Sequence, residues 1–255
     1  MTSEVARVVA LGASNLSLGI QTAISTARST WGPAVEVFAA NGYGRSYGAR
    51  TCVAGRTLPG ILQSGLWREL ERRDRAPTRA LIMDVGNDIP CGFLPAQILE
   101  WVEEAVVRLL AYTPDVTITD LPAESVKRLS AAKFLSFRTL FFPSSRVSRD
   151  EAFERLDDVN QGLARLAADR RVRLAHLRSG WYDFDPIHFR PAVWPEAWRE
   201  ILAGEESTGV AAPFSLVEWA RLHTFPPDQR WFFGFEQATP QSGRRLRRGG
   251  RLWLY

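Results

Sequence analysis

Short apolar runs rich in β-branched residues alternate along this chain with longer stretches whose apolar positions recur every three or four residues. A compact apolar run suits a strand buried on both faces, and a three-and-four spacing gathers apolar side chains on one helix face. The pattern predicts strands at residues 6–11, 35–39, 79–85, 116–120 and 172–177, and helices at 18–29, 58–73, 95–112 and 150–168. Pro95 suits a first helical turn, and the helix it opens carries Ile98, Val102, Ala105, Val106 and Leu109 as a stripe assigned to the core. Strand and helix in alternation predict an α/β fold, a doubly wound five-stranded parallel sheet with helices on both faces.

Two stretches exceed what such a sheet needs. Residues 121–148 mix Lys127, Arg128, Lys133 and Arg138 with Phe134, Phe137, Phe141 and Phe142, which reads as core or as a lid or acyl-binding wall. Everything after about Ala203 forms an extension that carries Trp219, Trp231, Phe232, Phe233, Phe235 and Trp253. So many large apolar side chains must be covered, by the domain itself or by a second copy. Gly249 and Gly250 precede a last strand-like run.

Composition changes this picture little: of 255 residues, 45% are hydrophobic and 24% charged, the balance of a soluble globular domain. The net charge of +4 is exceeded by Arg244, Arg245, Arg247, Arg248 and Arg251 of the tail, so the rest is nearly neutral and a nucleic-acid partner is not expected. No apolar run is long enough for a membrane span, and no secretion signal is read at the amino terminus. Cys52 and Cys91 have no metal-type spacing and read as reduced thiols, which makes the cytoplasm the expected location. Neither a metal nor a cofactor is expected: the chain has no Walker loop, no H-E-x-x-H, no C-x-x-C, and no G-x-G-x-x-G after its first strand. The G-x-S-x-G elbow is missing too, which points to a flavodoxin-like sheet.

In a doubly wound sheet, chemistry collects just beyond the carboxyl ends of the strands. Four expected strand ends carry such residues: Gly12-Ala13-Ser14-Asn15, Asn41-Gly42-Tyr43-Gly44-Arg45-Ser46, Gly86-Asn87-Asp88, and Asp185-Pro186-Ile187-His188. Ser14 falls where a helix amino terminus offers unpaired N–H groups, although Ser at this place also caps helices, and Asn15 and Ser17 could cap instead. Gly42 and Gly44 each leave room for a main-chain N–H to approach a substrate oxygen, or simply make a turn. Asn87 could donate from its amide or serve a turn that Gly86 sharpens, and Asp88 reads as structural. Asp185 lies three residues before His188, a spacing that lets a loop bring carboxylate to imidazole. Imidazole suits proton shuttling because it ordinarily titrates near pH 6.5. His176 and His223 read as packed or surface residues, and Asp183 as a weaker rival to Asp185.

These four blocks, in this order over about residues 6–190, resemble the SGNH hydrolase superfamily of GDSL-like esterases and lipases. The resemblance implies a serine ester hydrolase in which Ser14, Asp185 and His188 form a triad. It also implies an oxyanion hole made by the N–H of Ser14, the N–H of Gly44 and the amide of Asn87. Gly44-Arg45-Ser46 is similar to the block of rhamnogalacturonan acetylesterase-like members, which selects Gly44 over Gly42 and suggests an acetyl ester. The family usually has Asp where this chain has Ala13, so activity is expected to be reduced or retuned. Acyl transfer on the same triad and a non-catalytic SGNH-like binding module stay open as alternatives. The expected division is a hydrolase domain over 1–203 and an extension over 204–255; the expected partner is a small-molecule or glycan acyl ester, with homo-oligomers through the aromatic arm as a further option.

Overall fold

The computed structural model describes residues 5–204 and 214–255; residues 205–213, inside the expected extension, lie outside what is described. In chain order the elements are β1 (Arg7–Leu11), α1 (Ser14–Trp31), β2 (Glu36–Ala40), β3 (Thr51–Val53), β4 (Arg56–Leu58), α2 (Leu66–Glu71), β5 (Thr78–Ile82) and α3 (Pro95–Leu110). There follow β6 (Val116–Thr119), α4 (Ala123–Lys127), α5 (Ala131–Phe141), α6 (Arg149–Arg170), β7 (Arg173–Ala175) and α7 (Trp194–Ala203). The extension contributes α8 (Leu216–His223), β8 (Gln229–Phe232), β9 (Phe235–Ala238), β10 (Arg244–Arg245) and β11 (Arg251–Leu254).

The five expected strands all form and lie parallel in the order β2-β1-β5-β6-β7, the flavodoxin-like arrangement. Their period-two alternation divides the core. Val9, Leu11, Phe38 and Ile82 pack with α3 and α6 on one face, while Val8, Val37 and Leu81 pack with α1 and α7 on the other. The α3 stripe is wholly buried, as its spacing predicted. Gly19 of α1 admits close packing, since a Cβ there would sit 2.1 Å from the indole nitrogen of Trp198 on α7.

The final apolar run becomes β11, which pairs parallel with β2 and carries antiparallel β10, so the sheet grows to seven strands. Trp253 stacks on Phe38 with ring centroids 4.4 Å apart. A separate antiparallel sheet joins β3, β4, β8 and β9. The helix expected over 58–73 is corrected: Leu58 ends β4, and only Leu66–Glu71 is α-helical. Pro59 and Gly60 explain the break, because a proline restrains the residue before it to extended backbone and a glycine weakens a helix. Helix α1 begins at Ser14, four residues earlier than its apolar periodicity suggested.

Candidate active site

The carboxyl ends of β1, β5, β6 and β7 are neighbours on one rim of the parallel sheet. Ser14, the first residue of α1, is buried at this rim. A helix start leaves N–H groups without intrahelical acceptors, yet Ala13 has no side chain to offer and the first turn has no acidic residue. Asp84, just beyond β5, supplies the acceptor: its Oδ2 takes the N–H of Ala13 at 2.8 Å and of Leu16 at 3.2 Å. Its Oδ1 accepts from the Asn15 amide at 2.9 Å. A carboxylate at a helix amino terminus also suits the helix dipole. The sharp turn after this strand, assigned above to Gly86, belongs instead to Asp84, whose φ is +60°. Aspartate is one of the few non-glycine residues that enter this left-handed region readily.

Asn15 and Ser17 do not act as spare helix caps. The Asn15 Nδ2 also donates to the carbonyl of Ile187 at 2.8 Å, and its Oδ1 accepts from the N–H of Phe189 at 2.9 Å. The residue after Ser14 thus holds both chain neighbours of His188. Ser17 donates to the carbonyl of Ala13 at 2.7 Å and accepts from the Asn41 amide at 2.9 Å.

His188 Nδ1 lies 2.6 Å from Asp185 Oδ2, while Asp185 Oδ1 accepts the N–H of Ile187 and of His188 at 3.1 Å each. Burial alone would raise the Asp185 carboxyl, but the hydrogen bond and charge of His188, with those two N–H groups, hold it below its ordinary value. The loop is packed as well as hydrogen-bonded. Trp181 and Tyr182 meet the Phe189 ring at 5.7 and 5.4 Å, and Trp194 donates to the Phe189 carbonyl at 3.1 Å. Asp183 is exposed, and the imidazole pairs with Asp185.

His176 sits just past β7, its ring largely exposed and its Nδ1 2.8 Å from Asp120 Oδ2. His223 Nδ1 bonds the Trp219 carbonyl at 2.8 Å, far along the chain in α8. Among the described residues, no group of three or more His, Cys, Asp and Glu side chains is placed to hold a metal ion.

Asn87 follows Asp84 in a short helical turn and donates from Nδ2 to the Asp84 carbonyl at 3.3 Å. Gly44 lies in the loop after β2 with φ +62°, and a Cβ there would stand 2.6 Å from Val53 Cγ2, so both backbone and space demand glycine. That loop is fastened from both sides. Tyr47 N–H donates to the buried Asp88 carboxylate at 3.1 Å, and fully buried Arg45 donates to the carbonyls of Pro59, Asn41 and Tyr255. The last residue of the extension therefore buttresses a loop on the site side of the sheet.

Ser14, Asn15, Asp84 and Asn87 line a cavity of about 150 Å³, together with Pro186 and Ile187 from between Asp185 and His188. Gly44, Asp185 and His188 are not among its lining residues. The remaining wall is mostly apolar: Leu121, Val126, Phe134, Phe137 and Phe141 come from the 121–148 stretch, with Asp120 and Arg138 as its polar members. Asp84, Asp120 and the bridging role of Asn15 escaped the sequence reading. One signal did point to Asp84, because a helix that begins Ala13-Ser14 without an acid must find its anion elsewhere.

No protein-family model matches the chain, and no curated protein does. Solved structures similar to it include the psychrotrophic esterase EstA from Pseudoalteromonas sp., in a form inhibited by monoethylphosphonate (TM-score 0.48, 13% identity, covering 76% of this chain and 92% of that one). A member of the lipolytic protein G-D-S-L family from Veillonella parvula DSM 2008 is also similar (TM-score 0.46, 10% identity, 76% and 94% covered). So is TesA, at TM-score 0.45 and 16% identity over 76% of this chain and 94% of that one.

Proposed function

We propose that this chain is a serine ester hydrolase of the SGNH type that takes an apolar acyl ester. The observation that carries this reading is the Asn15 bridge: the side chain next to Ser14 binds residues on either side of His188, whose Nδ1 is occupied by Asp185. The nucleophile candidate and the imidazole are thereby tied to one another through a single residue, with Nε2 left for proton transfer.

In this mechanism Ser14 Oγ attacks the ester carbonyl carbon and passes its proton to His188 Nε2. The carbonyl oxygen becomes an oxyanion that the N–H of Ser14 and the Asn87 amide, both at the cavity, stabilise; the N–H of Gly44, which the family resemblance adds as a third donor, lies outside the cavity lining. Collapse breaks the carbon–oxygen bond to the alcohol, which leaves with the proton from His188. Water, deprotonated by the same imidazole, then attacks the acyl-serine and releases the acid. Asp185 remains the anion that orients the ring.

Two features refine the reading. The aromatic wall favours an acyl group larger than the acetyl suggested by the Gly44-Arg45-Ser46 block. The carboxylate missing at Ala13 is replaced in its bracing role by Asp84, which weakens the case for a non-catalytic module. The test is a fluorophosphonate probe with peptide mass mapping, run beside p-nitrophenyl esters of increasing chain length. The expected result is a mass shift on the peptide containing Ser14, absent in Ser14→Ala, and turnover that peaks above the acetyl ester; a folded protein that neither labels nor turns over would exclude the enzyme. Product analysis with added alcohols separates hydrolysis from acyl transfer.

A further inference from the structure

A second cavity, of about 50 Å³, is walled by Asn41 and Tyr43 of the loop after β2, Arg56 of β4, His223 of α8 and Leu254 of β11. Among the described residues it shares none with the cavity beside Ser14. A bound water needs roughly 10 to 15 Å³ of such space, so a small polyatomic ion or the end group of a larger ligand fits. The polar chemistry of this cavity is one-sided. Arg56 forms no ion pair with a described residue, and its Nε is buried without a hydrogen-bond partner among them. Burial and the charge of Arg230 push the Arg56 guanidinium below its ordinary value, as befits a cation that no carboxylate faces. His223 donates from Nδ1 to the Trp219 carbonyl at 2.8 Å, and its Nε2 is likewise buried and without a partner.

No Asp or Glu lines this cavity among the described residues. The acids on the elements around it are engaged elsewhere. Asp228 takes the N–H of Gly65 at 3.1 Å and faces Arg45 and Arg68, Glu218 pairs with Arg221 at 3.2 Å, and Glu236 accepts from Gln229 at 2.7 Å. Buried cations and donors are ordinarily matched, so the cavity calls for an anion that the chain does not supply. The donors narrow its chemistry. With the proton on Nδ1, neutral His223 offers Nε2 as an acceptor, and protonated His223 offers it as a donor. A phosphate group answers both, since near neutrality it presents oxygens with and without a proton, and a guanidinium can bind two of its oxygens at once. A carboxylate has no proton to give at that pH. We infer that the cavity between the loop after β2, β4 and α8 binds a phosphate group through Arg56 and His223, with Tyr43 beside them. The site adjoins the proposed chemistry without sharing it. Asn41 in its wall donates to Ser17 Oγ, Ser17 donates to the carbonyl of Ala13, and Tyr43 precedes Gly44, yet binding itself requires neither Ser14 nor ester hydrolysis.

Isothermal titration calorimetry of the whole chain with inorganic phosphate, in a buffer free of phosphate and sulfate, tests it. Saturable one-to-one binding is expected, and Ser14→Ala should bind equally well. Arg56→Gln should weaken the binding roughly tenfold or more, the scale of a hydrogen bond to a charged group, and His223→Gln about fivefold. Arg50→Gln is the control: its guanidinium lies against Trp231 of the same small sheet, 4.1 Å from the ring centroid, and outside the cavity lining. Its affinity should stay within about twofold of the unaltered protein, because exposed charges are screened by salt. Glycerol 3-phosphate in place of inorganic phosphate separates the two sources of the group: tighter binding assigns the cavity to a phosphate carried on a larger molecule, weaker binding to the free ion. Absence of binding by the unaltered protein overturns the inference. So does affinity retained by Arg56→Gln when circular dichroism shows it folded, or an equal loss in Arg50→Gln, since the attraction would then come from overall basic charge. Should Arg56→Gln not fold, His223→Gln decides, and undiminished affinity in that variant overturns the inference equally.

Discussion

The two walls of the cavity are built on opposite principles. On one side Ser14, Asn15 and Asp84 line it, and side-chain hydrogen bonds of 2.6 to 3.2 Å join Asp84 to Ala13, Asn15 and Leu16, Asn15 to the backbone of Ile187 and Phe189, and Asp185 to His188 behind them, between segments as distant in sequence as residues 15 and 189. On the other side α5 supplies aromatic rings from a helix with nothing buried, tied to the domain by few directed contacts such as Arg138 to the Val147 carbonyl at 2.9 Å. A proton relay tolerates little error in distance, whereas an apolar group is held by area alone. On the proposed function, the contrast separates positioning of the chemistry from choice of the acyl group.

The largest effect that would sharpen this comparison belongs to Asn87. Removing one oxyanion donor costs about 3 to 4 kcal/mol, so Asn87→Ala should lower kcat by roughly a hundred- to a thousandfold with the melting temperature nearly unchanged. A loss confined to KM would place Asn87 outside the transition-state contacts.

Next comes Asp84→Ala, which leaves the N–H groups of Ala13 and Leu16 without this acceptor and the Asn15 amide with the Ile187 carbonyl alone. Urea denaturation should show a loss of about 2 to 3 kcal/mol, and kcat should fall more than KM rises because the nucleophile and imidazole loops lose their common brace. Asp84→Asn, which keeps an acceptor oxygen, should recover part of both. If kcat were untouched while stability fell, Asp84 would be structural and the polar wall less closely coupled to catalysis than argued.

A comparable magnitude attaches to Asp88 beneath the same wall. Burial pushes its carboxyl up to about 6, against the opposing hydrogen bonds from Ser46 and the Tyr47 N–H. A carboxyl raised in the folded state binds its proton more tightly there than in the unfolded chain, so its stabilising contribution is present below about pH 4 and is lost as pH rises through about 6. The change amounts to roughly 2 to 3 kcal/mol. Asp88→Asn should flatten that part of the stability–pH curve measured by thermal melts; an unaltered slope would assign it to another group.

The smallest effect is expected on the apolar wall. Phe137→Ala should lower kcat/KM for long-chain p-nitrophenyl esters by about tenfold, the scale on which apolar pockets discriminate, while leaving the acetyl ester within about twofold. Equal losses on all esters would show that α5 also positions the reacting groups and would dissolve the distinction between the walls.

Much of this arrangement was legible in the chain. Strand order cannot be read from residues 6–11, 35–39 and 79–85 one at a time, but their alternation with helices called for a parallel sheet, and the motifs after them then had to share a rim. The separation of Asp185 from His188 was enough to foresee their pairing. Asp84 was harder, because its role depends on a helix start 70 residues earlier, and the turn credited to Gly86 shows how a glycine attracts an assignment that a left-handed aspartate fulfils. Residues 121–148 left core, lid and acyl-binding roles open, since periodicity places Phe134, Phe137 and Phe141 on one face without saying what that face meets.

The sequence by itself determined the α/β class, the candidates Ser14, Asn87, Asp185 and His188, and the composition of the extra segments. The class follows from local periodicity and the candidates from short motifs that resemble those of a known family, both of which are properties of neighbouring residues. Only the tertiary structure decided that β11 extends the sheet beside β2, that Arg45 reaches Tyr255, and that Asn15 holds the chain on both sides of His188. Those contacts join residues more than 170 positions apart, and their partners are fixed by how the layers pack and not by any pattern along the chain.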